Sequence, residues 1–368
     1  MSAFPYSDSH FMKMALREAH KGEGRTAPNP CVGAVVVKNG RLIAKGYHHQ
    51  AGTPHAEVHA LNAAGTEARG ATLYVTLEPC HHQGRTGPCT ERIVAAGISR
   101  VVVGMNDPNP LVAGGGNDYL ASNGIKVTAG ILAESCLELN RPFVKHIVTG
   151  LPWMVMKAGL SLDGRIGVGS PGGRVTGDES RREVHRLRNR FDAILVGIET
   201  VLADDPALTT RLPWGKGRDP LRVVLDRSLR CPVDSRLLTQ QSTAATLIFC
   251  GPDVDQPRRQ KLSRAGAEIM EVPLDPAGGL SLPAVLATLG RIGIMGVLVE
   301  GGGRVHASFL RDELYDQACL FLAPVLFGAR GVPLVGDLAC GSVADGKRLE
   351  IRTTRRLGSD IMIEGLFR

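Results

Sequence analysis

The chain is poor in aromatic residues, which make up 4% of its 368 positions and include only two tryptophans. It has no apolar run approaching the ~18 residues of a membrane-spanning helix, so no span is expected. Residues 1–21 carry Asp8, His10, Glu18 and His20 and lack both an apolar signal core and a cleavage site. The protein is therefore expected to be cytoplasmic. Disulfides are rare there, and cysteine serves structural, catalytic or metal-binding ends. A block of basic charge is also missing. Fourteen basic and eleven acidic side chains lie up to residue 150, and twenty-nine and twenty-five beyond it. Neither half offers a nucleic-acid footprint, and the net charge of +7 suits a small anionic molecule. There is no internal repeat and no low-complexity segment. With 43% hydrophobic and 21% charged residues, disorder, collagen and coiled coil are excluded for the chain as a whole. Its length fits two domains.

What is present is unevenly placed. Nine of the 11 histidines precede residue 150, leaving only His185 and His306 beyond it. The eight cysteines divide evenly: Cys31, Cys80, Cys89 and Cys136, then Cys231, Cys250, Cys319 and Cys340. The first half is thus rich in metal-ligand types, and the two halves are expected to do different chemistry.

Periodicity gives the organisation. Phe11, Met12, Ala15, Leu16 and Ala19 recur at helical spacing behind a cap from Ser7, Asp8 or Ser9. Val32–Val37 and Leu42–Ala44 flank Lys38-Asn39-Gly40, a strong hairpin signal. Helices are expected at His55–Ala64, Cys89–Ala96 and Ala133–Ile147, and strands at Ala71–Leu77, Arg100–Gly104 and Ile125–Thr128. Gly150 and Pro152 punctuate the chain, so domains are expected over 1–149 and 150–368. The second half alternates again. Strands are expected at Trp153–Lys157, Ala193–Val196, Arg222–Leu225, Thr246–Phe249, Glu268–Val272 and Gly296–Glu300. Helices are expected near Asp178–Arg190, Gln256–Arg264, Leu282–Leu289 and Arg304–Arg311, with a terminal hairpin turning at Gly358-Ser359. Such alternation predicts α/β layers in both halves.

The strongest motif combines His55-Ala56-Glu57 with Pro79-Cys80 and Cys89. A hydrolytic zinc takes three protein ligands and keeps a fourth position for water. One imidazole, His55, and two thiolates, Cys80 and Cys89, supply them. Zinc lowers the pKa of its water, and a carboxylate that is not a ligand must take that proton and return it to the departing amine. Glu57, at a helix start, has that place. Histidine-x-glutamate with proline-cysteine is the signature of zinc deaminases. Eight residues separate Cys80 from Cys89, where nucleic-acid and nucleoside deaminases have two. His81 and His82 in that loop are rival ligands in principle; the plainer reading is loop histidines touching substrate or solvent. His59, one helical turn after His55, reads as a core or supporting residue. Cys31 reads as a buried apolar one. Asn29, in a turn before a strand, is either a turn former or a donor to a pyrimidine edge.

These segments, Pro28–Gly33, Gly52–Glu57, Thr76–Cys80 and Gly84–Cys89, resemble the bifunctional riboflavin-biosynthesis deaminase/reductase family. The long Cys80–Cys89 spacing with Gly84-Arg85-Thr86 inside is characteristic of it. The family usually has proline where this chain has Gly87, which neighbours a ligand but replaces none.

The second half carries Met156–Arg165, Gly197–Arg211 and a strand running through Glu300 into Gly301-Gly302-Gly303 and a helix. Glycines between a strand end and a helix start suit a phosphate, because backbone N–H groups and the helix dipole face an anion there. The glycines do not form Gly-x-Gly-x-x-Gly, so a Rossmann site is not supported. The same three segments occur in the reductase half of the family, so the resemblance covers roughly residues 8–366. It implies that Gly159, Thr200, Asp204, Gly302, Gly303 and Arg304 hold NADPH, and that Arg188, Leu208, Arg211 and Glu300 hold substrate. The forked donors of Arg188 and Arg211 suit a ribose phosphate, and Glu300 suits ring or amino N–H groups. Lys157 and Asp163 are expected to orient the ribose end. Arg227 is a candidate for the cofactor's 2′-phosphate. Near Val175 the family often has tryptophan, so the Ser170–Gly177 loop departs from its pattern.

The fold class implied is α/β, a cytidine-deaminase-like domain followed by a dihydrofolate-reductase-like one. The function implied is zinc-dependent hydrolytic deamination of a phosphoribosylated diaminopyrimidinone, then NADPH reduction of ribosyl to ribityl. One Zn2+ per chain, a small-molecule substrate, no nucleic acid or membrane partner and a homodimer or higher homo-oligomer are expected. A free-base or tRNA deaminase with an accessory domain is the alternative, and a zinc-stabilised binding module is a third.

Overall fold

A computed structural model describes residues 7–81, 87–109, 115–169, 173–213, 215 and 217–368. The chain divides into two compact units, Met1–Gly150 and Leu151–Arg368.

In the first unit the order is α1 (Asp8–Ala19), β1 (Gly33–Lys38), β2 (Arg41–Tyr47), α2 (Ala56–Ala64), β3 (Thr72–Leu77), α3 (Cys89–Ala95), β4 (Arg100–Met105), α4 (Gly116–Ser122), β5 (Lys126–Ala129) and α5 (Ala133–Thr149). The sheet order is β2-β1-β3-β4-β5, antiparallel across β2-β1-β3 and parallel across β3-β4-β5. The hairpin turns as expected: Asn39 and Gly40 both take positive φ, +52° and +72°, as a type I′ turn requires. Both faces of the sheet are covered. Ala34, Val36, Leu73 and Val75 pack against Ala56, Ala60 and Leu61 of α2. Val35, Val37 and Tyr74 pack against Phe11, Met12 and Ala15 of α1. Strands buried on both faces explain the unbroken Val-Val-Val of β1.

Ser7 occupies the cap position of α1, but its side chain makes no capping bond. Asp8 is turned instead to Arg100, whose two terminal nitrogens lie 2.9 and 2.7 Å from its oxygens, and to the Tyr74 hydroxyl at 2.9 Å. This fork ties the helix start to the first residue of β4.

In the second unit the order is β6 (Trp153–Ser161), β7 (Arg165–Gly167), α6 (Asp178–Arg190), β8 (Ala193–Gly197), α7 (Ile198–Asp204), β9 (Leu221–Leu225), α8 (Arg236–Thr239), β10 (Thr246–Cys250), α9 (Gln256–Arg264), β11 (Ala267–Glu271), α10 (Leu282–Arg291), β12 (Gly296–Val299), α11 (Gly303–Arg311), β13 (Gln317–Ala323), β14 (Val332–Pro333), β15 (Leu349–Leu357) and β16 (Asp360–Phe367). Nine strands form one sheet in the order β11-β10-β9-β8-β12-β6-β13-β16-β15. It is parallel from β11 to β13 and antiparallel through the terminal hairpin. Three parallel strands therefore end side by side at Gly197, Leu225 and Val299, the edge where open α/β sheets bind ligands. Two elements differ from expectation. β6 runs on past Lys157 to Ser161, because β13 pairs with it from Val155 to Ser161, so Gly159 lies in a strand rather than at a turn. β13 itself, Gln-Ala-Cys-Leu-Phe-Leu-Ala, is a short apolar run whose strand character comes from lying between β6 and β16.

The hydrogen bond from Arg100 holds the Asp8 carboxyl below its ordinary pKa. A depressed carboxylate contributes stability above its unfolded pKa and loses it as pH falls through the folded one. Thermal melts of wild type and Asp8→Asn should differ at pH 7 and converge in strong acid. A gap that persists unchanged at the lowest pH would contradict this account.

Candidate active sites

The first site forms because two helices begin at one place. His55 is the cap residue of α2 and Cys89 the first residue of α3. Gly46 on β2 lets α2 approach: a Cβ there would lie 2.6 Å from the Ala56 carbonyl oxygen. Cys80 follows β3 by a short turn. Its preceding Glu78 accepts the backbone N–H of Asp107 at 3.2 Å and of Asn117 at 3.0 Å, fastening that turn to β4 and α4.

His55 Nδ1 lies 3.2 Å from Cys89 Sγ and 3.5 Å from Cys80 Sγ, and all three ligand atoms lie within 4.8 Å of one another. Tetrahedral zinc with its usual bond lengths sets such nitrogen–sulfur separations near ~3.5 Å. The trio can hold a metal ion. The Cys89 backbone N–H donates to Cys80 Sγ at 3.4 Å. Hydrogen bonding from Cys89, then from His55, pushes the Cys80 thiol down into the thiolate range. Cys89, the donor of that pair, is pushed up.

Glu57 is buried within the first turn of α2, and its Oε2 has no protein partner. Burial, then the neighbouring Cys80 thiolate, raises its carboxyl to about 7. A proton acceptor poised there suits general acid–base work near neutral pH.

Other residues of this half resolve differently. Asn29 does lie beside the trio, because its side-chain nitrogen donates to His48 Nε2 at 3.1 Å and the His48 ring sits edge-on to His55 at 5.4 Å. His48 is fully buried, its Nδ1 bonding the Pro54 carbonyl at 3.2 Å. Burial lowers its pKa, so it is neutral and accepts from Asn29. The sequence reading missed His48; nothing in the local pattern separates it from exposed His49. Asn140, buried in α5, clamps the Asn29 loop through both backbone groups of Cys31 at 2.8 and 3.0 Å. His59 stacks on His49 at 4.2 Å and lies outside the trio. His81 stacks on Tyr119 at 4.0 Å and bonds Thr90 Oγ1 at 2.9 Å. His82 lies outside the described residues, as do Arg85 and Thr86.

In the second unit a cavity of about 960 Å³ opens at the aligned strand ends. Thr200, Arg227, Gly302, Gly303 and Arg304 line it, together with Glu199, Asp275 and Ser308. Gly302 caps α11, so the first N–H groups of that helix face the cavity. Gly159 and Asp204 are not among the lining residues. Gly159 packs against Thr176, and Asp204 is exposed at the end of α7.

A second cluster centres on Glu300. Arg188 Nε and Nη2 each reach its oxygens at 2.8 Å, Lys157 Nζ lies at 3.3 Å, and Arg188 Nη1 donates to the Thr209 carbonyl at 3.1 Å. Burial opposes ionisation of Glu300, yet Arg188 and Lys157 overcome it and hold the carboxyl well below the usual range. Three of the five N–H donors of Arg188 are engaged by Glu300 and Thr209. The Leu208 side chain packs in the core with Val201 and Leu229, at φ +50°. Asp163 accepts Ser161 Oγ at 2.5 Å and the backbone N–H groups of Phe327 and Gly328 at 3.2 and 2.7 Å. Arg211 stays exposed. Val175 lies among the described residues; Ser170, Pro171 and Gly172 do not.

Arg188 and Glu300 have side chains 12% and 11% exposed. Removing one partner leaves the other charge buried and unpaired, which costs about 3–5 kcal/mol. Glu300→Gln should lower the stability of the second unit by about that much in denaturant melts, and Arg188→Met with Glu300→Leu should recover much of it. A single substitution with no effect would contradict a buried, mutually dependent pair.

Known proteins match this chain across both units. Residues 5–105 match the cytidine and deoxycytidylate deaminase zinc-binding region, and residues 152–363 match the RibD C-terminal domain. The riboflavin biosynthesis protein RibD of Aquifex aeolicus is 40% identical, covering 97% of this chain and 97% of its own. That of Escherichia coli is 39% identical, covering 97% and 98%. The structure of Acinetobacter baumannii RibD, form 1, has TM-score 0.87 at 36% identity over 98% of this chain and 99% of its own. A Thermotoga maritima diaminohydroxyphosphoribosylaminopyrimidine deaminase/5-amino-6-(5-phosphoribosylamino)uracil reductase has TM-score 0.83 at 35% identity, with 98% and 99% covered. These matches span both units, which sets aside a free-base or tRNA deaminase with an accessory domain. No helix among the described residues is long and apolar enough to cross a membrane. The chain belongs to the RibD family, as a bifunctional deaminase and reductase of riboflavin biosynthesis with a cytidine-deaminase-like domain followed by a dihydrofolate-reductase-like one.

Proposed function

We propose that residues 1–149 hydrolyse the 2-amino group of a phosphoribosylated diaminopyrimidinone, and that residues 150–368 reduce the ribosyl chain of the resulting aminouracil to ribityl with NADPH. The observation that carries this reading is a two-thiol, one-imidazole trio beside a buried glutamate whose Oε2 has no protein partner. The name of the Thermotoga maritima relative supplies the substrate class.

In the first domain His55, Cys80 and Cys89 would hold one zinc ion. Zinc so held supplies the Lewis acidity that makes water nucleophilic near neutral pH. Glu57 takes the proton at its free Oε2 and passes it to the departing amine, which leaves as ammonia. Asn29, fixed by His48, presents its amide to the pyrimidine edge. Its Nδ2 is partly spent on His48, so its oxygen is the group left to accept from a ring or amino N–H.

In the second domain NADPH supplies the hydride. The backbone of Gly302 and Gly303 at the start of α11 suits its pyrophosphate, with Thr200 and Arg304 beside it in the same cavity. Arg227, at the end of β9, is the cation for a 2′-phosphate. Lys157, held by Glu300, faces the sugar end of the substrate, and Arg211 meets its phosphate. Gly159 and Asp204 are proposed for the cofactor's far side on the family resemblance alone. The protein is proposed to work in the cytoplasm as a homo-oligomer, at least a dimer. The edge strand β15, nine residues long and mostly exposed, is open to pairing with a second copy.

The test supplies the purified chain with the diaminopyrimidine phosphate and NADPH, and follows ammonia and NADPH separately. Wild type should release ammonia and then oxidise NADPH. Glu57→Gln should lose ammonia release by at least ~10²-fold while still reducing pre-deaminated aminouracil phosphate. Ammonia release by Glu57→Gln at the wild-type rate, or none from wild type, would sink the deaminase assignment.

A further inference from the structure

Asn29 sits in a stretch that is ill suited to join the sheet. Pro28 and Pro30 flank it and have no N–H to give a ladder. The Asn29 N–H turns back to the Thr26 carbonyl at 2.7 Å, and β1 begins only at Gly33. The Cys31 backbone lies between, and a side chain meets it in place of a strand. The Cys31 N–H donates to Asn140 Oδ1 at 2.8 Å, and Asn140 Nδ2 donates to the Cys31 carbonyl at 3.0 Å. This exchange of both bonds is the pattern of a hydrogen-bonded pair in an antiparallel ladder, with an amide side chain standing for the neighbouring backbone.

Asn140 is itself fixed. It is 2% exposed, and its Nδ2 also donates to the Cys136 carbonyl at 3.3 Å, one turn earlier in α5. That set orients the amide, because its oxygen faces an N–H and its nitrogen two carbonyls. Cys136 and Leu139 seat α5 on the sheet, packing in one cluster with Phe11, Val35 and Val102. The clamp therefore ties the loop to the framework of the domain. Past Cys31, the Val32 carbonyl accepts the His48 N–H at 2.9 Å. Asn29 is thus held twice: its side chain by His48, and its backbone, two residues on, by Asn140. The three side-chain bonds of Asn140 end on Cys31 and Cys136, not on His55, Cys80 or Cys89.

We propose that Asn140 is a positioning residue of the deaminase, setting the place of Asn29 so that the Asn29 oxygen meets the pyrimidine edge. The inference rests on the reading of Asn29 as the group that accepts from a ring or amino N–H. Without the clamp, the Cys31 N–H and carbonyl lose their partners and the loop shifts to satisfy them. Asn29 moves with it. His55, Cys80 and Cys89 stand on other elements and stay together.

The experiment uses the full chain, whose reductase reaction and zinc content report folding independently of the loop. Asn140→Leu should raise KM for the diaminopyrimidine phosphate about tenfold, as Asn29→Ala does, with kcat within about twofold. One zinc per chain and the rate of aminouracil reduction should be retained. Both substitutions act on one interaction, so with Asn29 already alanine, Asn140→Leu should add about twofold or less. Asn140→Ser leaves space for water to bridge Cys31 and α5 and should fall between; it carries the test if Asn140→Leu fails to hold zinc. Losses that multiply in the double variant, or a wild-type KM in either single one, would overturn the proposal. Hydrogen exchange reads the clamp without substrate. A peptide over residues 28–32 reports only Asn29, Cys31 and Val32, since its prolines have no N–H. It should exchange faster in Asn140→Leu than in wild type or Asn29→Ala. If it does so and wild type releases no ammonia, the clamp stands and the deaminase reading fails. If wild type releases ammonia and the peptide exchanges alike in all three, the positioning role fails alone.

Discussion

Two helices starting at the same place are the constraint on which the first domain depends. The starts of α2 and α3 bring His55 and Cys89 together at the end of β3, where Cys80 arrives by a short turn. Two thiols cannot both ionise cheaply at that distance without a cation, and hydrogen bonding pushes the Cys80 thiol down while Cys89 is pushed up. The same burial that makes the pair difficult raises Glu57 to about 7. The packing that permits this is narrow. Gly46 admits α2 to the sheet, and Gly116 passes so close to the Cys80 turn that a Cβ would meet the Pro79 carbonyl at 2.1 Å. Chemistry at this site is therefore a property of backbone approach as much as of the ligands.

The second domain solves a different problem. Its sheet ends three parallel strands together, and the glycine turn after β12 leaves backbone N–H groups facing a large cavity. Beside it, a buried carboxylate anchors two cations. Glu300 fixes Arg188 and Lys157 in place, and Arg188 in turn holds the segment that carries Arg211.

Much of this was legible from residue order. The hairpin at Asn39-Gly40, the helix from Asp178 and the trio of His55, Cys80 and Cys89 follow from turn chemistry, periodicity and ligand type, all local properties. What was not legible depends on distant partners. β13 is a strand because it lies between β6 and β16. His48 matters because it bonds Asn29 and a carbonyl on the other side of a turn, which no spacing rule foretells. Arg188 reads as a phosphate ligand by residue type, and nothing local shows that Glu300, 112 positions away, shares its donors. Asp163 is a similar case: no spacing rule foretells that the backbone of Phe327 and Gly328 donates to it.

The central claim is that three residues, and no fourth protein group, hold the metal at which deamination occurs. X-ray absorption at the zinc edge of the zinc-loaded protein tests it most directly. The account predicts one zinc per chain with two sulfur ligands, one imidazole nitrogen and a remaining light-atom ligand from water. A second histidine in the coordination sphere, a single sulfur or zinc bound without sulfur would contradict it.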